Sequence, residues 1–455
     1  MTTTSDDQPR TESPPTPSTT RAAIRQLLMR LHFYAGVLVG PFILIAAVTG
    51  LLYASIPQID AMVYRHELTV DHVGQQRLPL AEQLAAARAA HPEGTVQSIR
   101  PPATPDETTQ IQLGVDDVPP DYARTVFVDP YTAEVRGALT TYGQWMPIRA
   151  WFDELHRNLH LGAFGRHYSE LAASWLWIIA LAGLALWFLQ RRDRLSRLVV
   201  PDRAAGGRRK AMSWHAVIGV WVLAVLLGLS VTGITWSRYG GETVSALQAE
   251  LNSTAPSVDT TAPVHHGHGA RTTTLDGADT VLKTAEQAGL TGPMWLYPPA
   301  EPGAAWTVSE RKRDWPTRND SIAVDPHTGA VTDRVDFADW PLLAKLTRWT
   351  IDAHMGLLFG VVNQIVLALS MIGFIALIVQ GYRMWWQRRP TRGSKWAVGR
   401  PPLRGAIRGL PWWGITAVAV TAVVIGWCLP LFGVSLAAFL VVDAVIASRK
   451  QKRNA

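Results

Sequence analysis

The chain has 455 residues, of which 17% are charged and 48% hydrophobic, a charge content below the rough quarter of soluble domains. Its one cysteine, Cys428, excludes an intramolecular disulfide framework and any zinc or iron–sulfur site built on several thiolates. The net charge of +7 sits in short connections between apolar runs, so it reads as a membrane-topology signal, with no nucleic acid as partner.

Residues 1–24 begin with a Thr-, Ser- and Pro-rich tract that reads as a disordered tail. Apolar runs long enough to cross a lipid bilayer, for which ~20 helical residues suffice, follow at Leu31–Ile56, Leu171–Leu189, Met212–Trp236, Met355–Val379, Pro411–Leu429 and Leu431–Ile446. The last two read as a tight hairpin. A signal-peptide reading of the first run fails, because the run is too long and no A-x-A site follows it. Basic clusters at Arg191–Lys210, Arg383–Arg408 and Arg449–Arg453 fall on one side if there are six spans. Both termini are then cytoplasmic, in a cell inner membrane.

The organisation this predicts runs as follows, in chain order. A tail (1–24) leads into the first span (25–56) and a first outer domain (57–150). An outer helix continuous with the second span (151–191), a cytoplasmic loop (192–210), the third span (211–237) and a second outer domain (238–348) come next. A second outer helix with the fourth span (349–388), a second loop (389–409), the hairpin of spans five and six (410–447) and a tail (448–455) complete the chain.

The two halves repeat. At a shift of 183 residues His32 falls on His215, Gly36 on Gly219, and Val48-Thr49-Gly50 on Val231-Thr232-Gly233. At a shift of 198, Trp151 falls on Trp349, Glu154 on Asp352, His156 on His354, Gly183 on Gly381 and Trp187 on Trp385. VFVDPYTAEV (126–135) matches IAVDPHTGAV (322–331), each a strand, an Asp-Pro turn and a second strand. Ala-rich helical stretches at 79–90 and 276–288 precede them. Two copies of equal topology imply a pseudo-twofold axis along the membrane normal.

Four of the 13 histidines occupy repeat-equivalent positions: His32 and His215 at the inner end, His156 and His354 at the outer end. A pseudo-twofold sets equivalent residues opposite one another, which predicts two imidazole pairs at two depths. Paired imidazoles from facing helices are what bis-His haem b requires, and two such haems are expected. The absence of C-x-x-C-H excludes covalent attachment. Gly36 and Gly219, one turn after the inner histidines, would leave room for a flat macrocycle. Glu154 and Asp352 are candidates to orient the outer rings. His160 competes with His156 as the outer ligand, though its repeat equivalent is Leu358. Helix-end histidines hydrogen-bonded at the interface are the plainer alternative.

The sequence resembles the PepSY-associated transmembrane helix family, which includes iron-regulated membrane proteins and inner-membrane ferric-siderophore reductases. The resemblance rests on LHFYAGVLVG with VTGLLY, DELHRNLHLGAFGR, SWHAVIGVW with VTGITW, DAHMGLLFG and the two V-D-P-x-T hairpins, over roughly residues 25–390. It implies an α-helical integral membrane bundle of two tandem helix–PepSY–helix repeats plus a C-terminal helical hairpin. Two small extracytoplasmic α+β PepSY-like domains go with it. It further implies haem b on His32, His215, His156 and His354, and electron flow to an extracytoplasmic ferric chelate such as a siderophore.

No G-x-G-x-x-G follows a strand, so a separate electron donor, a cytoplasmic reductase or the quinol pool, is expected. His265, His266 and His268 in VHHGHG form a second candidate metal site of lower weight, equally readable as a solvated linker. Arg311, Lys312, Arg313 and Arg318 read first as a charged β-turn and second as an attractor of anionic chelate. Trp145, Trp151 and Trp349 read as an outer aromatic belt. The competing function is a non-enzymatic membrane anchor whose PepSY units bind or restrain an extracytoplasmic partner such as a peptidase.

Overall fold

The computed structural model describes residues 20–191, 196–261, 275, 277–301, 303–388, 402, 404 and 406–454. The VHHGHG histidines lie outside the described residues. The helices in order are α1 (Thr20–Leu38), α2 (Gly40–Tyr53), α3 (Ile56–Val63), α4 (Arg65–Leu68) and α5 (Leu80–Ala90). They continue with α6 (Pro147–Asn158), α7 (Gly162–Arg191), α8 (Ser196–Val199), α9 (Gly207–Thr235) and α10 (Tyr239–Glu250). The last five are α11 (Ala278–Gln287), α12 (Leu342–His354), α13 (Gly360–Trp386), α14 (Trp412–Cys428) and α15 (Pro430–Asn454). Thr20 already starts α1, so residues 20–24, assigned above to the tail, are helical.

Helices Gly162–Gln190, Gly207–Thr235, Gly360–Trp386 and Pro430–Arg449 are long and apolar enough to cross a membrane, and α1 with α2 qualifies as a bent pair. The chain is a multi-pass membrane protein. The expected fifth span, α14, has 17 residues, a rise of about 26 Å against a hydrocarbon core of ~30 Å. The break between α1 and α2 has a local cause. Pro41 has no N–H to offer the Val37 carbonyl and its ring crowds that oxygen. The Tyr382 hydroxyl donates to it instead, at 2.9 Å.

Two compact units divide the chain. One comprises the described parts of Met1–Gly40, Trp177–Trp221 and Leu377–Ala455; the other comprises Pro41–Leu176 and Val222–Ala376. In the first, α15 is tied down through Asp443, whose carboxylate meets Arg30 at 2.9 Å and Arg404 at 3.0 Å. The isolated acid in the last span is therefore paired from two sides, as a carboxylate in low dielectric requires.

The second unit holds an eight-stranded antiparallel sheet. Its strands are β1 (Thr95–Arg100), β2 (Thr109–Gly114), β3 (Tyr122–Val128), β4 (Val135–Tyr142), β5 (Met294–Tyr297), β6 (Trp306–Glu310), β7 (Ser321–Val324) and β8 (Val331–Val335). The order β4-β3-β2-β1-β5-β6-β7-β8 is two four-stranded meanders joined edge to edge, with Ile99 opposite Leu296. Two separate outer domains were expected. Alone, β1 and β5 would each present a row of unpaired N–H and C=O groups; the symmetry of the repeat pairs them. One core crosses the junction: Leu84, Ile99, Ile111 and Val126 of the first repeat pack with Val281, Leu296, Trp306 and Ile322 of the second. Asp279 on α11 also accepts hydrogen bonds from the Leu80 and Ala81 amides that open α5.

The V-D-P-x-T segments are turns, as the sequence predicts. Asp129 Oδ1 accepts from the Tyr131 amide at 2.8 Å and Asp325 Oδ1 from that of His327 at 2.9 Å. Thr132 and Thr328 accept from the amides two residues on. Ala133 and Gly329 take the left-handed position, at φ 58° and 70°. The motif's polar groups are thus used within the turn.

A shared core makes the two halves of the sheet unfold together. Ile99→Ala, which removes a fully buried side chain at the junction, should cost ~2–5 kcal/mol. Hydrogen exchange should then accelerate in both hairpins, β3–β4 and β7–β8. Loss of protection confined to the first repeat would show two independent domains.

Candidate functional site: two imidazole pairs

The expected continuous helices through His156 and His354 are broken. Left-handed Leu159 and His160 (φ 58° and 56°) and Gly162 (φ 56°) separate α6 from α7; Gly356 (φ 74°) and Gly360 (φ 55°) separate α12 from α13. His156 and His354 therefore lie in the last turns of short helices rather than midway along ~50 Å rods. The glycines accept the positive φ that ends a helix at little cost.

The symmetry brings the histidines together as predicted. The His32 and His215 rings lie 6.2 Å apart, centre to centre, and so do those of His156 and His354. Their planes cross at 85° and 63° respectively. Among the described residues, no group of three or more His, Cys, Asp or Glu is placed to hold a bare metal ion. These are two-imidazole sites.

Each ring is fixed through its Nδ1. His32 Nδ1 donates to the Ile179 carbonyl at 2.9 Å, and His215 Nδ1 to that of Leu377 at 2.9 Å. The two acceptors are themselves repeat equivalents, 198 residues apart. A carbonyl only accepts, so Nδ1 carries the proton and neutral Nε2 keeps its lone pair. In the other pair the acceptors are Thr49 Oγ1, at 2.9 Å from His156 Nδ1, and Thr232 Oγ1, at 2.5 Å from His354 Nδ1. Each hydroxyl has one proton and spends it on its own helix, Thr49 on the Ile45 carbonyl and Thr232 on that of Gly228, both at 2.9 Å. What remains is a lone pair to accept Nδ1–H. Burial pushes His156 down to about 4, and burial with its neighbour His156 pushes His354 to about 3. Both are neutral at pH 7.

Glu154 and Asp352, expected to orient the outer rings, do not. Glu154 binds Arg157 and Asn158, and Asp352 pairs with Arg313 at 2.8 Å and Arg348 at 3.0 Å. Residues two apart on a helix point to different faces, so neither carboxylate can follow its histidine to the ring pair. Thr49 and Thr232 carry that role, and their signal was present in the repeated V-T-G. The carbonyls of Ile179 and Leu377 left no such mark, because a backbone acceptor has no residue type.

The glycines also redistribute. The position of a Cβ on Gly36 is open, with nothing within 4 Å, whereas one on Gly219 would touch Leu377 at 3.2 Å. The glycines against the rings are Gly183, whose Cβ would meet His32 Cε1 at 2.9 Å, Gly381, at 3.5 Å from His215, and Gly50, at 3.2 Å from His156. His160 is exposed and packs on Trp151 at 4.8 Å; His354 is met by His156 and Trp236. Trp145 faces two cations: the guanidinia of Arg149 and Arg313 lie 3.6 Å and 4.8 Å from its ring centre. Trp349 packs on Trp315 and Phe337.

Membrane-crossing helices with an antiparallel sheet domain and duplicated imidazole pairs define a multi-pass membrane protein built by internal repetition. Residues 29–388 match the family model described as PepSY-associated TM region, and the chain belongs to that family. The match stops short of α14 and α15. A comparison with curated proteins found no match.

Nitrogen NMR of histidine-labelled protein at pH 7 should show His156 and His354 as neutral Nδ1–H tautomers. Thr49→Val should move His156 alone, and Thr232→Val His354 alone, toward mixed tautomers. Unchanged signals in both variants would mean that the threonines do not set the tautomer.

Proposed function

We propose that this protein is an inner-membrane electron-transfer protein that binds two b-type haems, one between His32 and His215 and one between His156 and His354. On this reading it reduces an extracytoplasmic ferric chelate, such as a siderophore complex. One observation carries it: two repeat-related imidazole pairs have the same 6.2 Å separation, and each ring has its Nδ1 hydrogen-bonded to a fixed acceptor. That separation would leave room for a single metal atom between the two rings of each pair. The open space beside Gly36, one turn from His32, suits a bulky planar group next to backbone.

A haem held by His32 and His215, or by His156 and His354, would supply a one-electron iron couple suited to electron transfer. The chain's own residues bind and orient. Ile179, Leu377, Thr49 and Thr232 hold each imidazole in one tautomer, the arrangement that raises ligand basicity and fixes the ring. On this reading the basic connections are cytoplasmic, which puts His32 and His215 on the donor's side and the sheet on the chelate's. Electrons come from a separate donor, a cytoplasmic reductase or membrane quinol. One electron per iron converts Fe³⁺ to Fe²⁺, which hard oxygen ligands hold less well. The anchor alternative loses support because the V-D-P-x-T polar groups are consumed within their own turns.

Purified protein should show a reducible b-type spectrum with two haems per chain. His32→Ala and His354→Ala should each remove one, and the double variant both. Gly183→Ala should lower haem content more than Gly381→Ala, since the added methyl meets its histidine at 2.9 Å rather than 3.5 Å. A colourless protein, or full haem in both histidine variants, would end the reading.

A further inference from the structure

The second unit contains a cavity of about 450 Å³, within the range of small-molecule sites. It forms where the Tyr142–Trp145 turn leading into α6 meets the end of β6, the start of β7 and α12. The two repeats contribute unlike residues here, so it is not a product of the symmetry. Arg311, Arg313 and Arg348 line it. The carboxylate that pairs with Arg313 and Arg348 is Asp352, itself fully buried. Burial, then the like charge of Arg348, holds Arg313 down to about 10, a sign of crowded positive charge.

Hydrogen-bonding capacity is also left over. Asn319 is only 7% exposed and its Nδ2 has no partner; Trp340 Nε1 and Arg313 Nη1 are likewise unpartnered. Buried donors are ordinarily satisfied, and these three belong to residues that line the same cavity. One acceptor stands among them. Glu310 is buried, and its Oε1 accepts from the Gly292 amide at 2.6 Å and faces Arg318 at 3.3 Å, while its Oε2 has no partner. Surplus guanidinium charge with spare N–H groups calls for a carboxylate. A lone carboxylate acceptor beside them calls for a hydroxyl on the same ligand.

We propose that this cavity is a binding site for a hydroxycarboxylate, with Arg311, Arg348 and Asn319 receiving carboxylate and Glu310 accepting from the hydroxyl. Such a group is carried by a free organic acid or by a metal chelate built on one. The site stands apart from the haem reading, since none of its residues is an imidazole. Arg348 nevertheless lies on α12 six residues before His354, about 9 Å along the helix axis.

Titration calorimetry on the full-length chain in neutral detergent tests this with citrate, ferric citrate and tricarballylate, which is citrate without its hydroxyl. Citrate or ferric citrate should bind, and the tighter of the two identifies the source as free acid or chelate. Tricarballylate should bind about tenfold more weakly than citrate. Arg311→Gln should weaken binding about tenfold or more, with Arg311→Lys recovering part of it. Arg311 is preferred to Arg348 because Arg348 also pairs with buried Asp352, and its loss could unfold α12. The proposal falls if neither citrate nor ferric citrate gives heat, if Arg311→Gln binds like the parent, or if tricarballylate binds as well as citrate. Calorimetry does not depend on colour. Binding in a colourless protein would sink only the haem reading, and a haem-loaded protein without binding would sink only this one.

Discussion

The arrangement depends on a hydrogen bond from imidazole Nδ1 to a fixed acceptor, made four times. Without it a buried histidine could carry its proton on either nitrogen and turn about its side-chain bonds. With it, Nε2 is left as the lone pair. Within each pair the acceptors match, two carbonyls in one and two threonine hydroxyls in the other. Each threonine first spends its own proton on its helix, so the hydroxyl has become a one-way acceptor. Neutral imidazoles in apolar surroundings follow, and neutral imidazole is the form that ligates.

Duplication explains why so little chain is needed to build this. A pseudo-twofold that pairs His32 with His215 also pairs Ile179 with Leu377 and Gly183 with Gly381. Within the second unit the repeat joins β1 to β5 and turns two small units into one sheet with one core. A 50-residue meander alone would bury too little apolar surface to be robust, and fusion removes two exposed edges as well. The repeat is thus a device for stability in the sheet and for apposition at the imidazoles.

Where the halves diverge, the chemistry changes character. Asp352 is the repeat partner of Glu154, yet Glu154 serves its own helix while Asp352 joins Arg313 and Arg348. Breaking such a buried cluster by removing one member is expensive, which gives the cavity beside it a rigid wall. Symmetry supplied the paired sites, and departure from symmetry supplied the polar cavity lined by Arg311, Arg313 and Arg348.

The sequence by itself determined most of the membrane spans, though not the fifth, which has only 17 residues, together with the repeat, the four histidines and both β-turns. Each rests on a local rule: apolar length, self-similarity at a fixed shift, or the Asp-Pro turn. It also held the V-T-G repeat, but not that repeat's role, because a threonine on a helix has no signature for what it faces. Only the tertiary structure decided that the outer helices stop at Asn158 and His354, since left-handed residues look ordinary in a string of letters. It alone decided that two sheets become one, because strand edges are satisfied by whichever partner the fold brings near. And it alone gave Ile179 and Leu377 their part, since a backbone carbonyl is the same group in every residue and acquires a function only from what lies 2.9 Å away.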